Sequence, residues 1–455
     1  MTELDPLQLQ RGARRVAELL QQAGHEAVWA GGCVRDMLMG RTPKDYDIAT
    51  NATPDQVLRI FPRGLAVGKA FGVIRAPWHG HYYEVATFRK DFTYRDGRRP
   101  EQVAFTDAAT DAQRRDFTVN AMFYDPLHDK LSDYVQGQAD LRARLIRAVG
   151  DPAARFEEDH LRMLRAVRFA ATLEFTIDPA TAAAIRQSAH RISRISAERI
   201  QTELTRTLLE APRPGDALVL LAELRLLPAI LPEVAAMQGQ AQPPQFHPEG
   251  DVFTHTVLML NALRDPTRQL AWAVLLHDVG KPPTCRVVDG RHRFNGHAAV
   301  GAQLAEEIMR RLRMSNDDIQ SISYAIGNHM RFMDVPRMRR ATLIRLVSAP
   351  TFPMELELHR LDCQASHGDL SNHDLLQDFV RERAAQPDLP APLITGHDIM
   401  ALGITDGPEI GRWKQAAFEA QLNNYFSDHA AGMQWLRTHM AEKPAQPSDT
   451  QQQEQ

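Results

Sequence analysis

Two glycines and two aspartates near the start of the chain have the residue types and the spacing that phosphate and metal chemistry requires. Gly31 and Gly32 follow an apolar run that predicts a strand, and residues 34–39 predict a short helix. Glycine lets backbone N–H groups approach phosphate oxygens at a helix N-terminus, where the helix dipole favours an anion. Asp45 and Asp47 would present both carboxylates to one side of an extended strand. Mg²⁺ is bound by such carboxylates together with substrate phosphates. The pattern predicts a site for a nucleoside triphosphate and its metal ions.

A third carboxylate and a pair of arginines follow along the chain. Two-metal transfer needs one ion for the attacking oxygen and one for the leaving phosphate, so a third acid is expected. Glu84, in a predicted strand, is the best candidate, although an outward polar residue on a half-buried strand would look the same. Further on, adjacent arginines followed by an aspartate and an asparagine suit phosphate clamping and recognition of ribose hydroxyls. These residues are Arg114, Arg115, Asp116 and Asn120.

An aspartate and an arginine three positions apart have the groups needed to read a nucleotide base. The run 156–169 predicts one helix, on which Asp159 and Arg162 share a face. The alternative interpretation is an ordinary intrahelical ion pair that contributes little to stability. Cytosine and adenine both present an amino donor beside a ring-nitrogen acceptor, and a carboxylate beside a guanidinium complements that pair. This arrangement predicts selection of C and A without a nucleic-acid template.

These side chains need a scaffold, and the sequence predicts one of mixed type. Between residues 25 and 135, short β-rich runs alternate with turn signals, and helices are predicted at 7–23 and 53–60. After Gly150-Asp151-Pro152 the β signals almost disappear and long helical patterns begin. Linkers are predicted at 238–245 and 384–392.

Composition places the chain among ordinary globular enzymes. It has 455 residues, 44% apolar and 24% charged, which is enough for two to four domains. Three widely spaced cysteines form no metal-ligand pattern, which predicts a reduced, cytoplasmic protein. No apolar run approaches the length of a membrane span, so no membrane association is expected. The net charge of −4 gives no global attraction to nucleic acid, but two arginine-rich stretches, 89–99 and 331–345, are either solvated faces or phosphate-binding tracks.

With four motifs in the same order, residues 25–210 resemble the class II tRNA nucleotidyltransferase/poly(A) polymerase family, bacterial branch. The family's head carries a Gly-Gly-x-Val-Arg-Asp loop, an Asp-x-Asp pair, an Arg-Arg-Asp-Phe-Thr-x-Asn-Ala block and a Glu-Asp-x-x-Arg base-reading helix. The resemblance implies that Asp45 and Asp47 are catalytic Mg²⁺ ligands and that Glu84 is an auxiliary catalytic carboxylate. It implies nucleotide contacts from Gly31, Gly32, Arg35, Arg114, Arg115, Asp116, Asn120, Glu158, Asp159 and Arg162. This sequence departs from the family pattern at residues 108–113, where many members have an acidic-leucine run. The departure concerns the anchoring of the family's mobile loop, which corresponds here to Lys90–Pro100.

The resemblance also implies an activity and its partners. The expected function is addition of C, C and A to the 3′ end of tRNA from CTP and ATP. Alternatives in the same family are a CC-adding enzyme, an A-adding enzyme or a poly(A) polymerase. An alternative from another class is an HD phosphohydrolase whose head only binds RNA. Arginines on the neck helices would hold RNA phosphates without reading sequence; they are Arg165, Arg168, Arg191, Arg194 and Arg199.

A second group of metal-ligand residue types lies in the helical region. Imidazoles bind transition metals, and carboxylates complete sites that lower the pKa of bound water. The order of these residues resembles the HD phosphohydrolase superfamily over residues 246–365. The resemblance implies a divalent transition metal and either hydrolysis of 2′,3′-cyclic phosphates or other phosphoesters, or a structural role. The implied ligands are His255, His277, Asp278 and Asp362, with His297 and His329 completing a second metal site.

The expected fold class is α+β, with a small mixed α/β nucleotidyltransferase head followed by an all-α neck, an HD domain and a helical tail. The segment 393–411 resembles the tail of bacterial CCA-adding enzymes, which favours tRNA over generic RNA. The expected boundaries are 1–145 for the head, 146–237 for the neck, 246–382 for the HD domain, 393–442 for the tRNA-binding tail and 443–455 for a disordered end.

Overall fold

The structure is a computed structural model that describes residues 5–94, 100–243, 250–383 and 389–441. It confirms the α+β class. The predicted disordered end, residues 95–99 of the Lys90–Pro100 loop and parts of both predicted linkers lie outside the described residues. The first elements along the chain are α1 (Pro6–Gln22), β1 (Ala27–Ala30), α2 (Gly32–Leu38), β2 (Asp47–Thr50), α3 (Pro54–Ile60), β3 (Leu65–Gly68), β4 (Val73–Trp78), β5 (His81–Thr87), β6 (Arg89–Tyr94), β7 (Pro100–Phe105), α4 (Ala108–Gln113), β8 (Met122–Asp125), β9 (Lys130–Asp133), α5 (Gly137–Arg142) and β10 (Leu145–Ile146).

A seven-stranded sheet forms the head, in the order β3-β4-β5-β2-β1-β8-β9. The β2–β5 pair is parallel and the other neighbouring pairs are antiparallel. Strand β1 is buried along its whole length, and its residues alternate between two cores. Trp29 belongs to the core under α1, whereas Val28 faces Phe88 and Phe123 on the opposite side. A strand covered on both faces leaves only its carboxyl end open, and Gly31 lies there.

Two helices of the head show why this sequence folds locally as predicted. Helix α1 begins with Pro6 and buries residues spaced by three and four, including Val16 and Leu20, against the sheet. Helix α3 begins with a capping box in which Thr53 and Gln56 satisfy each other's backbone N–H groups. Strands β3 and β9 and the hairpin β6–β7 were not predicted; β3 and β9 are four-residue edge strands, too short for a clear apolar alternation.

Helices dominate after residue 150, as expected, with two small exceptions. Strand β11 pairs in parallel with β10, and β12 and β13 form an antiparallel hairpin. The elements of this region are α6 (Pro152–Glu158), α7 (Arg162–Leu173), β11 (Thr176–Ile177), α8 (Pro179–Ser188), α9 (Ala197–Glu210), α10 (Pro214–Glu223), α11 (Leu227–Ile230), α12 (Pro232–Ala235), α13 (Val252–Ala262), α14 (Arg268–Leu276), α15 (Lys281–Thr284), β12 (Arg286–Val288), β13 (Arg291–Arg293) and α16 (His297–Arg311).

The chain divides into two compact units, residues 1–323 and 324–455. Helix α17 (Asn316–Asn328) spans the boundary between them. In the second unit, one cluster of buried apolar residues includes Phe332, Phe352 and Leu376, and another includes Trp413 and Leu436. The remaining elements are α18 (Arg340–Val347), α19 (Phe352–Ala365), α20 (Ser371–Glu382), α21 (Gly396–Ala401), α22 (Gly407–Leu422) and α23 (His429–Ala441). Of the helices in the described ranges, none has both the length and the apolar character that a bilayer crossing demands.

Candidate functional site

A cavity of about 840 Å³ opens in the head beside the end of β1 and continues to helices α7 and α9. Most of the predicted nucleotide and catalytic residues line it. They are Gly31, Gly32, Arg35, Asp45, Asp47, Glu84, Arg114, Arg115, Asp116, Asn120, Asp159, Arg162, Arg165 and Arg168. Among the described residues, Glu158, Arg191, Arg194 and Arg199 are the predicted contacts of this site that do not line it. Their roles, like those of the lining residues, stay predictions.

Three carboxylates face this cavity from neighbouring backbone positions. Asp47 begins β2 and pairs with Ala30 of β1, and β5 carries Glu84 beside β2. Asp45 precedes the strand, so the expectation that both aspartates lie on one strand is wrong; the backbone becomes regular only at Asp47. Withdrawal of its carboxyl group from bulk water, together with Asp45 and Glu84, raises the pKa of Asp47 to about 6. A divalent cation bound among these carboxylates would relieve their mutual repulsion. The three carboxylates therefore fit the predicted metal site.

The glycine loop brings backbone close to these carboxylates. Gly31 has φ 77°, a positive value that favours glycine, and is the N-cap residue of α2. A Cβ at Gly31 would lie 3.4 Å from Arg115 Nη1 and 3.9 Å from Asp47 Oδ2. These are ordinary van der Waals distances, so a side chain is disfavoured here by the positive φ of the backbone.

A buried aspartate that the sequence analysis did not select holds the two adjacent arginines. Asp111 is 1% exposed, and its two carboxylate oxygens lie 2.7 Å from Arg114 Nη2 and 3.0 Å from Arg115 Nη2. It also accepts a hydrogen bond from Arg89 N at 3.1 Å. Asp111 lies in the departing segment 108–113, so that segment supplies the anchor for both arginines and for the start of β6. The signal was available, because Asp111 precedes Arg114 and Arg115 by three and four residues.

The remaining arginines of the cavity are arranged by carboxylates and by one aromatic ring. Arg35 donates to Asn120 Oδ1 at 2.6 Å, and Arg165 donates to Asp116 Oδ2 at 2.6 Å. Burial alone would raise the pKa of Asp116, but the charges of Arg165 and Arg162 and the hydrogen bonds from Arg165 and from Phe117 N together outweigh burial, and the pKa is lowered. Phe169 contacts three guanidinium groups: the centre of its ring lies 5.4 Å from Arg35, 5.1 Å from Arg165 and 4.3 Å from Arg168. Each is a cation–π contact that fixes a positive charge at the cavity wall.

The predicted helix 156–169 is interrupted, which corrects the expectation that Asp159 and Arg162 share a helical face. Helix α6 ends at Glu158 and α7 begins at Arg162. Asp159 has an extended conformation, and its carboxylate accepts from Leu161 N at 3.0 Å. A short side chain that bonds its own backbone competes with helical hydrogen bonding, which accounts for the break. Both residues still reach the cavity, but through a turn and not along one helix.

Each member of this predicted pair has another charged partner. Asp159 is held by Arg199, with 2.8 Å between Oδ2 and Nη2. Arg162 donates to Glu158 Oε2 at 2.6 Å and to the carbonyl oxygens of Arg155 and Arg114 at 3.0 Å each. Neighbouring residues therefore hold both side chains in position. Three of the five N–H groups of Arg162 donate hydrogen bonds to described residues.

The neck arginines differ in how far they are exposed. Arg168 is only 2% exposed and pairs with Glu203 at 2.7 Å, although it borders the cavity. Arg194 is exposed and Arg191 pairs with Glu157. The RNA-binding roles predicted for these arginines stay predictions.

The predicted HD residues of the first unit form a compact, buried cluster. Ligand atoms of His255, His277 and Asp278 all lie within 4.8 Å of one another. His277 Nδ1 lies 2.8 Å from Val274 O, which directs Nε2 toward Asp278 Oδ2 at 3.1 Å. His297 Nε2 lies 3.6 Å from Asp278 Oδ1. Two imidazoles and a carboxylate that converge in this way fit a divalent transition metal.

Lysine and glutamine complete the surroundings of Asp278. Lys281 Nζ lies 2.7 Å from Asp278 Oδ2 and donates to Gln242 Oε1 at 2.7 Å. Burial would raise the pKa of Asp278, but the charges of His277 and Lys281 hold it well below its usual range. His329 and Asp362 belong to the second unit, where His329 Nδ1 lies 2.6 Å from Ile326 O and Asp362 lies in α19. Their predicted ligand roles stay predictions.

Three regions of the sequence match models of known protein families, and the first and third contain most of the site residues described above. Residues 27–147 match the poly A polymerase head domain, residues 174–238 match a probable RNA- and SrmB-binding site of polymerase A, and residues 252–362 match the HD domain. In its head, the chain is thus similar to the tRNA nucleotidyltransferase/poly(A) polymerase family. Both the nucleotidyltransferase head and the HD domain are of kinds that use divalent metal ions.

The chain is similar to proteins that are called CCA-adding enzymes. It is 47% identical to one from Levilactobacillus brevis over 205 residues, 45% of this chain and 51% of the relative. It is 40% identical to one from Geobacillus stearothermophilus over 269 residues, 58% of this chain and 62% of the relative. The matched part thus spans about half the length of the first of these relatives. A crystal structure of the Bacillus stearothermophilus CCA-adding enzyme in complex with CTP superposes with a TM-score of 0.73 at 28% identity, covering 97% of this chain and 99% of that one.

Proposed function

We propose that this protein adds C, C and A to the 3′ end of tRNA, using CTP and ATP and two Mg²⁺ ions. The observation that carries the proposal is the cavity in which Asp45, Asp47 and Glu84 face Arg114 and Arg115. Carboxylates on one wall and guanidinium groups on another are what a magnesium nucleotide requires. The similarity to CCA-adding enzymes, including one bound to CTP, supports the choice of substrates.

Different side chains of the cavity would bind the metal ions and the triphosphate during nucleotidyl transfer. The 3′-hydroxyl of the tRNA attacks the α-phosphate, a new phosphodiester forms, and pyrophosphate leaves. Bound Mg²⁺, held by Asp45 and Asp47, would supply charge stabilisation for the attacking and leaving oxygens. Arg114 and Arg115, kept in place by Asp111, would neutralise the triphosphate, and the backbone at Gly31 would approach it without a side chain in the way.

Base choice would come from Asp159 and Arg162 acting through the turn between α6 and α7. A carboxylate has about four acceptor sites, so Asp159 can hold Arg199 and still accept from the amino group of cytosine or adenine. Arg162 keeps Nε–H and one Nη2–H beyond the three bonds that it makes with described residues, and these can donate to a ring nitrogen. Guanine and uracil would place a donor against a donor and would be rejected.

The decisive experiment measures the length of the product. The full chain is incubated with Mg²⁺, labelled CTP and ATP, and a tRNA that ends at the discriminator base. Three added nucleotides are expected. Two would indicate a CC-adding enzyme, one an A-adding enzyme and a long ladder a poly(A) polymerase, each of which would replace the proposal. No extension would refute it.

A matched pair of variants tests whether the head performs the reaction. Asp47→Asn should abolish incorporation, because it removes a carboxylate from the metal-binding wall. Asp55→Asn is the control: Asp55 is exposed, pairs with Lys69 and lies off the cavity. Equal activity in both variants would contradict the role given to Asp47.

A metal-dependent phosphohydrolase activity is a second candidate function, favoured by the cluster of His255, His277 and Asp278. Hydrolysis of a 2′,3′-cyclic nucleotide after loading with Ni²⁺, Co²⁺ or Mn²⁺ would support it. His255→Ala should remove that hydrolysis and leave nucleotide incorporation intact. Hydrolysis that survives this substitution would place the activity elsewhere. The proposed domain boundaries and a cytoplasmic location stay as predicted from the sequence.

A further inference from the structure

A short hairpin lies between two elements that carry the HD cluster. Strands β12 and β13 pair with Arg286 opposite Arg293 and Val288 opposite Arg291. The connecting residues Asp289 and Gly290 have φ values of 51° and 71°. Positive φ at both central residues is typical of a two-residue type I′ turn, which fixes the register of the strands.

This register places three arginines on one face of the hairpin. Directly opposite residues share a face, and alternate residues along a strand do too, so Arg286, Arg291 and Arg293 point the same way. All three are exposed. Within the part of the chain that the structure describes, none of the three has a recorded ion pair or side-chain hydrogen bond.

The arrangement is not explained by the stability of the hairpin. Like charges directly opposite each other on neighbouring strands repel, and the Arg286–Arg293 pair is such a case. The carboxylate nearest in sequence, Asp289, lies in the turn and not between the arginines. A bound polyanion would relieve this repulsion.

The base of the hairpin is tied to residues before it and to the surroundings of Lys281. Cys285 Sγ lies 3.4 Å from His292 Nδ1 and 3.2 Å from Gln240 Nε2. At the end of the hairpin, the ring centre of Phe294 lies 5.7 Å from Lys281 Nζ, which itself contacts Asp278. Strand β12 begins five residues after Lys281, and β13 ends four residues before His297. The arginine face is thus fixed beside the HD cluster.

We propose that the face formed by Arg286, Arg291 and Arg293 binds the phosphate backbone of RNA next to the HD cluster. Guanidinium groups bind phosphates bidentately and are the side chains of choice for nucleic-acid backbones. Arg291 and Arg293 are about 6.7 Å apart along the strand, which suits successive phosphates of an extended chain better than one mononucleotide. The identity of that RNA as tRNA rests on the proposed function.

The test compares two triple variants of the full chain. In the first, Arg286→Gln, Arg291→Gln and Arg293→Gln remove the hairpin charges. In the second, Arg11→Gln, Arg63→Gln and Arg142→Gln remove three exposed charges elsewhere in the same unit. Binding of tRNA lacking its CCA end is measured by fluorescence anisotropy over a series of salt concentrations.

The hairpin variant should bind tRNA about tenfold more weakly at physiological salt. The slope of log affinity against log salt should become shallower by about 2, because each of the three lost phosphate contacts contributes roughly 0.7 to it. The control variant should match the wild type in affinity and slope. A third variant, Arg286→Lys, Arg291→Lys and Arg293→Lys, should keep most of the slope, because the charge is retained. Equal melting temperatures establish that the variants are folded.

Two outcomes would overturn the inference. An unchanged slope in the hairpin variant would show that these arginines contact no phosphate. Loss of poly-L-glutamate binding with unchanged tRNA binding would identify an acidic protein as the partner instead. The inference and the proposed function fail separately: a wild type that binds tRNA through the hairpin but adds no nucleotide refutes only the proposed function.

Discussion

The buried charges between helices α7 and α9 predict a large effect from a small substitution, Glu203→Gln. Arg168 is 2% exposed and Glu203 is 6% exposed, and Arg168 Nε lies 2.7 Å from Glu203 Oε2. Arg165 Nη1 lies 3.9 Å from the other carboxylate oxygen. Burial lowers the pKa of Arg168, and Glu203 opposes that shift. Glu203 is therefore the negative charge that allows a buried guanidinium at this position.

The expected loss in the free energy of unfolding comes from leaving the Arg168 guanidinium buried without a countercharge. Breaking a buried ion pair from one side costs about 3–5 kcal/mol, and glutamine keeps one neutral acceptor, so we expect about 3 kcal/mol. For a unit of this size, that corresponds to a fall of roughly 6 °C in the midpoint of thermal unfolding. The assay is circular dichroism on heating at pH 7.5, repeated by urea titration.

A control and a rescue make the result specific. Glu198→Gln is the same substitution on the same helix at an exposed position, and it should cost at most about 0.5 kcal/mol. Adding Arg168→Met to Glu203→Gln should recover part of the loss, because no buried charge remains. If Glu203→Gln melts within about 1 °C of Glu198→Gln, the buried charge is not what Glu203 compensates.

Two further predictions concern an aromatic ring and a buried imidazole. Phe169→Leu removes the ring that contacts three guanidinium groups, so the KM for nucleotide should rise about 3- to 10-fold with a smaller change in kcat; an unchanged KM would contradict the positioning role. His359, stacked on Phe332 with 5.0 Å between ring centres, has its pKa lowered by burial. The unfolded state binds this proton first, so the free energy of unfolding of the wild type should fall as the pH drops below about 6.5. Urea titrations at pH 5 and pH 7 should show a smaller difference in His359→Gln, and an equal difference would argue against His359 as the source.

The sequence determined the elements whose signals are local. The apolar stripe of α1, the capping box at Thr53 and the buried run of β1 each place an element within a few residues of where the structure has it. The motifs located the head cavity as well, because glycine, paired aspartates and paired arginines are tied to their chemistry by residue type and spacing.

Only the tertiary structure decided which charges meet. The helix predicted over residues 156–169 breaks at Asp159, because an aspartate side chain can accept a hydrogen bond from the backbone, and helical periodicity does not reveal that competition. Arg168 is turned inward by Glu203, 35 residues away in the chain. Asp111 gains its role from burial as well as spacing. Charge pairing between distant segments depends on which side chains lose water together, and a linear sequence does not contain that information.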